Sequence, residues 1–278
     1  MNPELVLRIK SALVLAIVVL AATWAGGIWF RLLSVAISVL IFYEFSTIAK
    51  NQERDPAGNG IGWLSVLVSA LFILSDRSSL ALIVIVAGTV AAAVPALWRS
   101  RPAWSATALA YAGLSGLALS QIRGDGLLGL FAMLFVFAIV WATDILAYFC
   151  GRAIGGAKLA PSISPGKTWS GAIFGTAAGV AAGVAVALGI RPGGDLAIPL
   201  IALVLSVASQ CGDLFESWIK RRFSVKDSSR LIPGHGGVMD RVDGLVFAAF
   251  AAFLIAVLMP HAAMVAGGDE LAARLLGQ

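Results

Sequence analysis

Between residues 217 and 243 the chain reads SWIKRRFSVKDSSRLIPGHGGVMDRVD, a stretch that concentrates the residue types able to handle phosphates. Lys220, Arg221, Arg222, Lys226, Arg230 and Arg241 are six of the twenty basic residues, set against Asp227, Asp240 and Asp243. Apolar runs border the stretch on both sides, over 196–210 and 245–259. Cations that merely fix membrane orientation would account for the lysines and arginines. They would not account for Gly234-His235-Gly236-Gly237 or for the Asp240 and Asp243 pair. On a helix, Asp213, Ser217 and Lys220 stand at i, i+4 and i+7 and share a face. Asp240 and Asp243 share another at the start of the last apolar segment, where a helix N-terminus favours negative charge. Asp213, Asp240 and Asp243, converging from two helices, suit Mg²⁺, which takes carboxylate oxygens and leaves positions for water and phosphate. The cations then neutralise other phosphate oxygens, and Gly236 and Gly237 can turn backbone N–H groups toward them. His235 reads two ways, as a phosphate donor or proton relay, or as an exposed loop residue.

Carboxylates elsewhere in apolar surroundings extend the set. An acidic residue at the centre of a membrane helix costs about 2.5–3.5 kcal/mol on insertion scales, so such residues tend to be functional or paired. Glu44, Asp144, Asp213 and Glu216 stand out. Glu44, near the end of its segment, reads as structural; Asp144 lies in WATDILAYFCGR, close to a cytoplasmic end. A further polar stretch, SISPGKT over 162–168, invites a P-loop reading at Gly166-Lys167-Thr168. The P-loop pattern requires glycine at position 161, which is Pro161, and no strand is expected before it, so that reading is rejected. Lys167 and Thr168 remain candidates for binding phosphate at the N-terminus of the helix that follows.

The elements that must position these residues are membrane helices. The chain has 278 residues, 59% hydrophobic and 13% charged, with a mean hydropathy of +0.92, which marks an all-α polytopic membrane protein. Apolar segments fall near 11–25, 27–48, 60–75, 79–97, 104–121, 126–149, 169–190, 196–216 and 243–262, about nine spans. The fifth is rich in Gly and Ser, and Gly26-Gly27 reads as a tight hairpin between the first two. Apolar runs continue along the chain, so the first reads as a span and not a removable leader. With the N-terminus and alternate loops on one side, that side collects fifteen basic residues against five. The five are Arg31, Arg77, Arg123, Arg191 and Arg274. The positive-inside rule then puts the N-terminus and the charged stretch in the cytosol and the C-terminus outside. The seventh segment carries Gly171, Gly175, Gly179 and Gly183 at spacings of four, a face without side chains that admits a close partner helix. That partner lies either within the chain or in a second copy, a homodimer. Cys150 and Cys211 are isolated, with no CxxC or Cys/His cluster, and read as packing residues without zinc or a disulfide. No basic and aromatic face stands apart from the membrane segments, which argues against nucleic acid as a partner.

At these residues the chain resembles the phosphatidate cytidylyltransferase (CDP-diacylglycerol synthase) family. The resemblance rests on Ser217, Lys220-Arg221, Lys226-Asp227, Pro233-Gly234-His235-Gly236-Gly237 and Asp240-Arg241-Val242-Asp243, in that order. Gly212-Asp213-Leu214-Phe215-Glu216 resembles the family's approach to this signature. Asp144, Ala147-Tyr148, Gly151, Leu159-Ala160-Pro161 and Ser164-Pro165-x-Lys167-Thr168-Trp169 resemble a second block. Ser170 departs from it, standing where glutamate is expected, a role that Glu216 could take. The resemblance covers roughly 140–260 and divides the chain into a helical scaffold, 1–122, and a catalytic region, 123–278. It implies transfer of the cytidylyl group of CTP to phosphatidic acid, giving CDP-diacylglycerol and pyrophosphate with Mg²⁺, for phospholipid biosynthesis in a bacterial inner membrane. Asp213, Asp240 and Asp243 are then the metal ligands, and Asp144, Lys220 and Lys226 join them in catalysis. Ser164, Lys167, Thr168, Ser217, Arg221, Asp227, His235, Gly236, Gly237 and Arg241 line the substrates. Lys167 is assigned to the lipid headgroup; Lys220, Arg221, Lys226 and Arg241 are assigned to the triphosphate or the leaving pyrophosphate. Two other functions compete: a CTP- or ATP-dependent lipid-alcohol kinase, and an ion-coupled transporter using Asp144 and Asp213. Against the transporter, nothing before residue 120 mirrors the charged stretch as an inverted repeat would.

Overall fold

In a computed structural model the described residues are 3–190, 196–259 and 270–276. Their helices are α1 (Pro3–Ala25), α2 (Gly27–Ile48), α3 (Asn51–Arg54), α4 (Pro56–Leu74), α5 (Ser78–Trp98) and α6 (Trp104–Arg123). These are followed by α7 (Leu127–Ile154), a hairpin of β1 (Lys158–Ala160) and β2 (Ser164–Thr168), and α8 (Trp169–Ile190). The chain continues with α9 (Ala197–Arg222), α10 (Met239–Leu258) and the short α11 (Glu270–Leu275).

Each of the nine expected segments is a long helix among the described residues, and eight of the nine are apolar enough to cross a membrane. The exception is α6, the Gly- and Ser-rich segment. Ser105, Ala108, Ala112, Ser115, Ala118 and Ser120 are all buried along it. A helix enclosed by protein needs close packing more than lipid-compatible hydrocarbon, so its hydropathy is low. Several helices run past their apolar stretch because backbone hydrogen bonding continues into polar sequence. Thus α9 carries on to Arg222, and α10 begins at Met239 with Asp240 in its first turn. The expected end of the last span at 260–262 lies outside the described residues, as does Arg191.

Helices α1 and α2 are separated by a single residue, Gly26, at φ 64°, so the expected tight hairpin is present. A side chain there would be strained. Two expectations need correction. A strand does precede Pro161: β1 pairs antiparallel with β2, Lys158 opposite Thr168 and Ala160 opposite Ser164. The turn closes a hairpin and does not lead from a strand into a helix, so the P-loop is still excluded. Cys211 is exposed rather than packed, while Cys150 is half-buried, and both are free thiols.

The backbone falls into two compact units. One contains 1–120 and 222–241, and the other contains 121–221 and 242–278. In the second unit the glycine face of α8 has its partner within the chain. A Cβ at Gly171 would lie 2.6 Å from the Ala147 carbonyl oxygen, and one at Gly175 2.7 Å from that of Thr143. A Cβ at Gly183 would crowd Ile139. All four glycines are buried; Gly171, Gly175 and Gly179 meet the α7 backbone, and Gly183 meets the Ile139 side chain and Ala202 of α9.

Candidate active site

The second unit gathers charge around Asp213, midway along α9. Its Oδ2 is 2.5 Å from the ammonium of Lys167 on β2, and its Oδ1 accepts a 3.4 Å hydrogen bond from Ser217 Oγ one turn later. The helical face inferred for Asp213 and Ser217 is thus real. Asp144 on α7 and Asp243 on α10 lie near enough to Asp213 and Lys167 for the four charges to act on one another. Gly212 is what lets α10 approach: a Cβ there would run into the Asp243 carbonyl oxygen and lie 2.9 Å from Phe247 Cβ. Three carboxylates and one lysine leave an excess of negative charge in one place.

The hairpin that delivers Lys167 is anchored on both sides. Thr168, buried, accepts a 3.1 Å hydrogen bond from Gly171 N, and its hydroxyl lies 3.0 Å from Ser170 Oγ. Ser170 donates to the Gly155 carbonyl at 2.5 Å, tying the corner between β2 and α8 to the end of α7. The residue that departs from the family pattern is here a turn fastener. Arg221 Nε donates to the Ile163 carbonyl at 3.3 Å, holding the hairpin turn against the end of α9. Lys220 is ion-paired at 2.6 Å with Glu216, whose side chain is 1% exposed.

The first unit holds the signature loop, and a residue set aside as structural does the holding. Glu44 on α2 is fully buried and takes four hydrogen bonds from residues 228–239. Oε1 accepts from Ser229 Oγ at 2.6 Å and Val238 N at 2.9 Å. Oε2 accepts from Ser228 Oγ at 3.1 Å and Met239 N at 2.7 Å. Asp240 Oδ2 completes the knot, accepting from Ser228 N, Ser228 Oγ and Gly237 N, each at 2.8 Å. Asp240 therefore caps its own loop. Within that loop Ile232 N donates to Gly236 O at 2.8 Å, and Gly234 and Gly236 turn the chain at φ 76° and 82°. These are angles that favour glycine. His235 is half-buried, with Nδ1 2.9 Å from Ser11 Oγ on α1, so neither the bare exposed reading nor free solvent describes it. Lys226, Asp227 and Arg241 are exposed.

Among the described residues no three His, Cys, Asp or Glu side chains converge on a single point as in a formed metal centre. The donor chemistry of Asp144, Asp213 and Asp243 nevertheless fits a hard divalent cation. Their formal charge exceeds that of Lys167, and Asp213 already holds a cationic group, the Lys167 ammonium. Glu44, read from the sequence as structural, is structural here, with the loop as what it holds. Its acidic character in an apolar segment was the signal, but its partners lie more than 180 positions away in the chain.

Comparison with known proteins follows the same lines. A family model described as the cytidylyltransferase family matches residues 6–259. A phosphatidate cytidylyltransferase of Brucella abortus biovar 1 (strain 9-941) is 46% identical over 251 residues, covering 90% of this chain and 93% of its own. Its counterpart from Haemophilus influenzae is 49% identical over 142 residues, 49% of either chain. One from Staphylococcus saprophyticus is 41% identical over 140 residues, 50% of this chain and 53% of its own.

Proposed function

The chain belongs to the cytidylyltransferase family, and from that membership we infer that it makes CDP-diacylglycerol from CTP and phosphatidic acid. A phosphate oxygen of phosphatidic acid forms a bond to the α-phosphorus of CTP. The bond from that phosphorus to the bridging oxygen of the β-phosphate breaks, and pyrophosphate leaves with the electron pair. Neither the kinase nor the transporter reading is favoured.

The observation that carries the mechanism is the meeting of Asp144, Asp213, Asp243 and Lys167. Two anions must approach one another, which positioned cations make feasible. Lys167 can exchange Asp213 for a phosphate oxygen of the lipid, because its ammonium is a mobile point charge on a flexible stem. Ser217 and Asp213 hold each other in place along α9, and Glu216 keeps Lys220 extended in one direction. Lys226 and Arg241 are exposed in the loop and carry charge that suits phosphate oxygens. Mg²⁺ held by Asp213 and Asp243, with Asp144 beside them, would neutralise phosphate oxygens as charge develops. Asp240 supports the loop that carries the nucleotide-binding cations.

The same reading puts the signature loop in the cytosol of a bacterial inner membrane, on the fifteen-to-five bias of basic residues. A second copy of the chain, if it pairs, uses faces other than the glycine stripe of α8. A reporter active only in the cytosol, fused after Gln278, should be silent; an active one contradicts this orientation. The activity test is purified protein incubated with CTP, Mg²⁺ and phosphatidic acid, followed by lipid analysis. CDP-diacylglycerol that disappears with excess EDTA is expected. A phosphorylated lipid alcohol as sole product overturns the assignment, and full turnover in chelator removes metal from it.

A further inference from the structure

The first unit contains a cavity of about 370 Å³ that shares no residue with the site above. It lies where α2 gives way to α3, where α5 passes to α6, and where the signature stretch leaves α9 at Arg222 and Phe223. Arg54, Arg99, Arg101 and Arg222 face it, and among the described residues its lining also holds the carboxylates of Glu53 and Asp55. Asp55 Oδ1 accepts a 3.1 Å hydrogen bond from Gly58 N at the start of α4, while its buried Oδ2 has no hydrogen-bond partner. Among the described residues none of the four guanidinium groups is ion-paired with a carboxylate. Arg101 donates to the Arg54 carbonyl at 3.4 Å, and Arg54 stands 6.0 Å from the Phe223 ring centroid, with Trp104 edge-on to that ring.

Four arginines against two carboxylates leave the lining with a net positive charge, which an anion balances. A second observation points the same way. Asn51 lines the cavity, is 2% exposed, and its side-chain Nδ2 has no hydrogen-bond partner. A buried amide donor left without an acceptor is destabilising, so a group that accepts from it is expected. The rest of the lining is apolar or aromatic, from Pro95, Ala96, Trp104 and Phe223. The cavity also sits at the ends of membrane-length helices, the depth of lipid headgroups, where Trp is favoured and anionic lipids attract arginine.

We propose that this cavity binds the phosphate of an anionic phospholipid headgroup, at a site separate from that of the reaction. The phosphate sits among Arg54, Arg99, Arg101 and Arg222 and accepts from Asn51 Nδ2, while the glycerol and upper acyl carbons lie against Trp104 and Phe223. Planar guanidinium groups suit a phosphodiester, and about 370 Å³ suits a headgroup rather than a whole lipid. Because Arg222 and Phe223 open the signature stretch, the bound headgroup would steady the start of that loop.

Native mass spectrometry of the full chain tests this, with phosphatidylglycerol as the probe because it is not a substrate. Released from nanodiscs of phosphatidylcholine mixed with phosphatidylglycerol, wild-type protein should retain one phosphatidylglycerol per chain, and no phosphatidylcholine in its place. Arg99→Gln/Arg101→Gln should weaken retention by about tenfold or more, the loss of charge-assisted hydrogen bonds. Asn51→Leu, which fills similar volume without a donor, should weaken it less. Equal retention of the two lipids by wild type overturns the proposal without recourse to any variant. So does unchanged retention in both variants. Millimolar inorganic phosphate that displaces the lipid and protects the protein equally against heat would make this a free-anion site, overturning the headgroup assignment.

Discussion

Two carboxylate-rich regions of this protein are built on opposite terms. In the signature loop the carboxylates are held by hydrogen bonds: Glu44 takes four and Asp240 takes three, all from one short segment. Around Asp213 the carboxylates of Asp144, Asp213 and Asp243 meet with Lys167 as the cation among them. A satisfied network fixes conformation, whereas an excess of like charge is tolerated only where a ligand will neutralise it. The proposed function accordingly gives the carboxylates of the first region a structural role and those of the second a chemical one, although both contain residues of the same signature.

Mutations should separate the two. The largest effect is expected for Asp213→Asn and Asp243→Asn, each lowering kcat by about a thousandfold with the fold intact, the scale of losing a positioned electrostatic group. The double variant should be little worse than either, since groups acting as a unit are not additive. Near-normal turnover in either single variant would break the contrast. Glu44→Ala should act mainly on stability. Stripping four donors of a buried charged partner costs about 3–5 kcal/mol, read as a lower melting temperature and faster proteolysis near residues 228–239. An unchanged melt would mean the loop is held otherwise. Gly179→Leu forces a side chain into Thr143 on α7 and should cost about 1–3 kcal/mol by overpacking, with turnover per folded molecule preserved. Lys226→Ala should be mildest, raising the KM for CTP by about tenfold or less at unchanged magnesium dependence, because its side chain is exposed.

Most of the fold was legible because spanning helices announce themselves by apolar length alone. The glycine stripe of α8 was legible too, but not its partner, since spacing marks a face without saying what covers it. The hairpin β1–β2 escaped because a three-residue strand has no periodicity to read. In the candidate site, the signature singled out Asp213 and Asp243, and the cost of a carboxylate in an apolar segment singled out Asp144. That these three would come within electrostatic reach of one another was not legible, since it depends on how α7, α9 and α10 pack and on Gly212 permitting close approach. Asp240 shared the signature and the spacing, and only the hydrogen bonds from Ser228 and Gly237 show it capping a loop.

Asp144 gives the most direct test of the chemical region, because tertiary structure rather than the signature brings it beside Asp213. Steady-state kinetics of Asp144→Asn across a magnesium titration, with phosphatidic acid and CTP saturating, should show a kcat reduced by about a hundredfold and a raised magnesium requirement. Wild-type kcat with wild-type magnesium dependence in that variant would contradict the account.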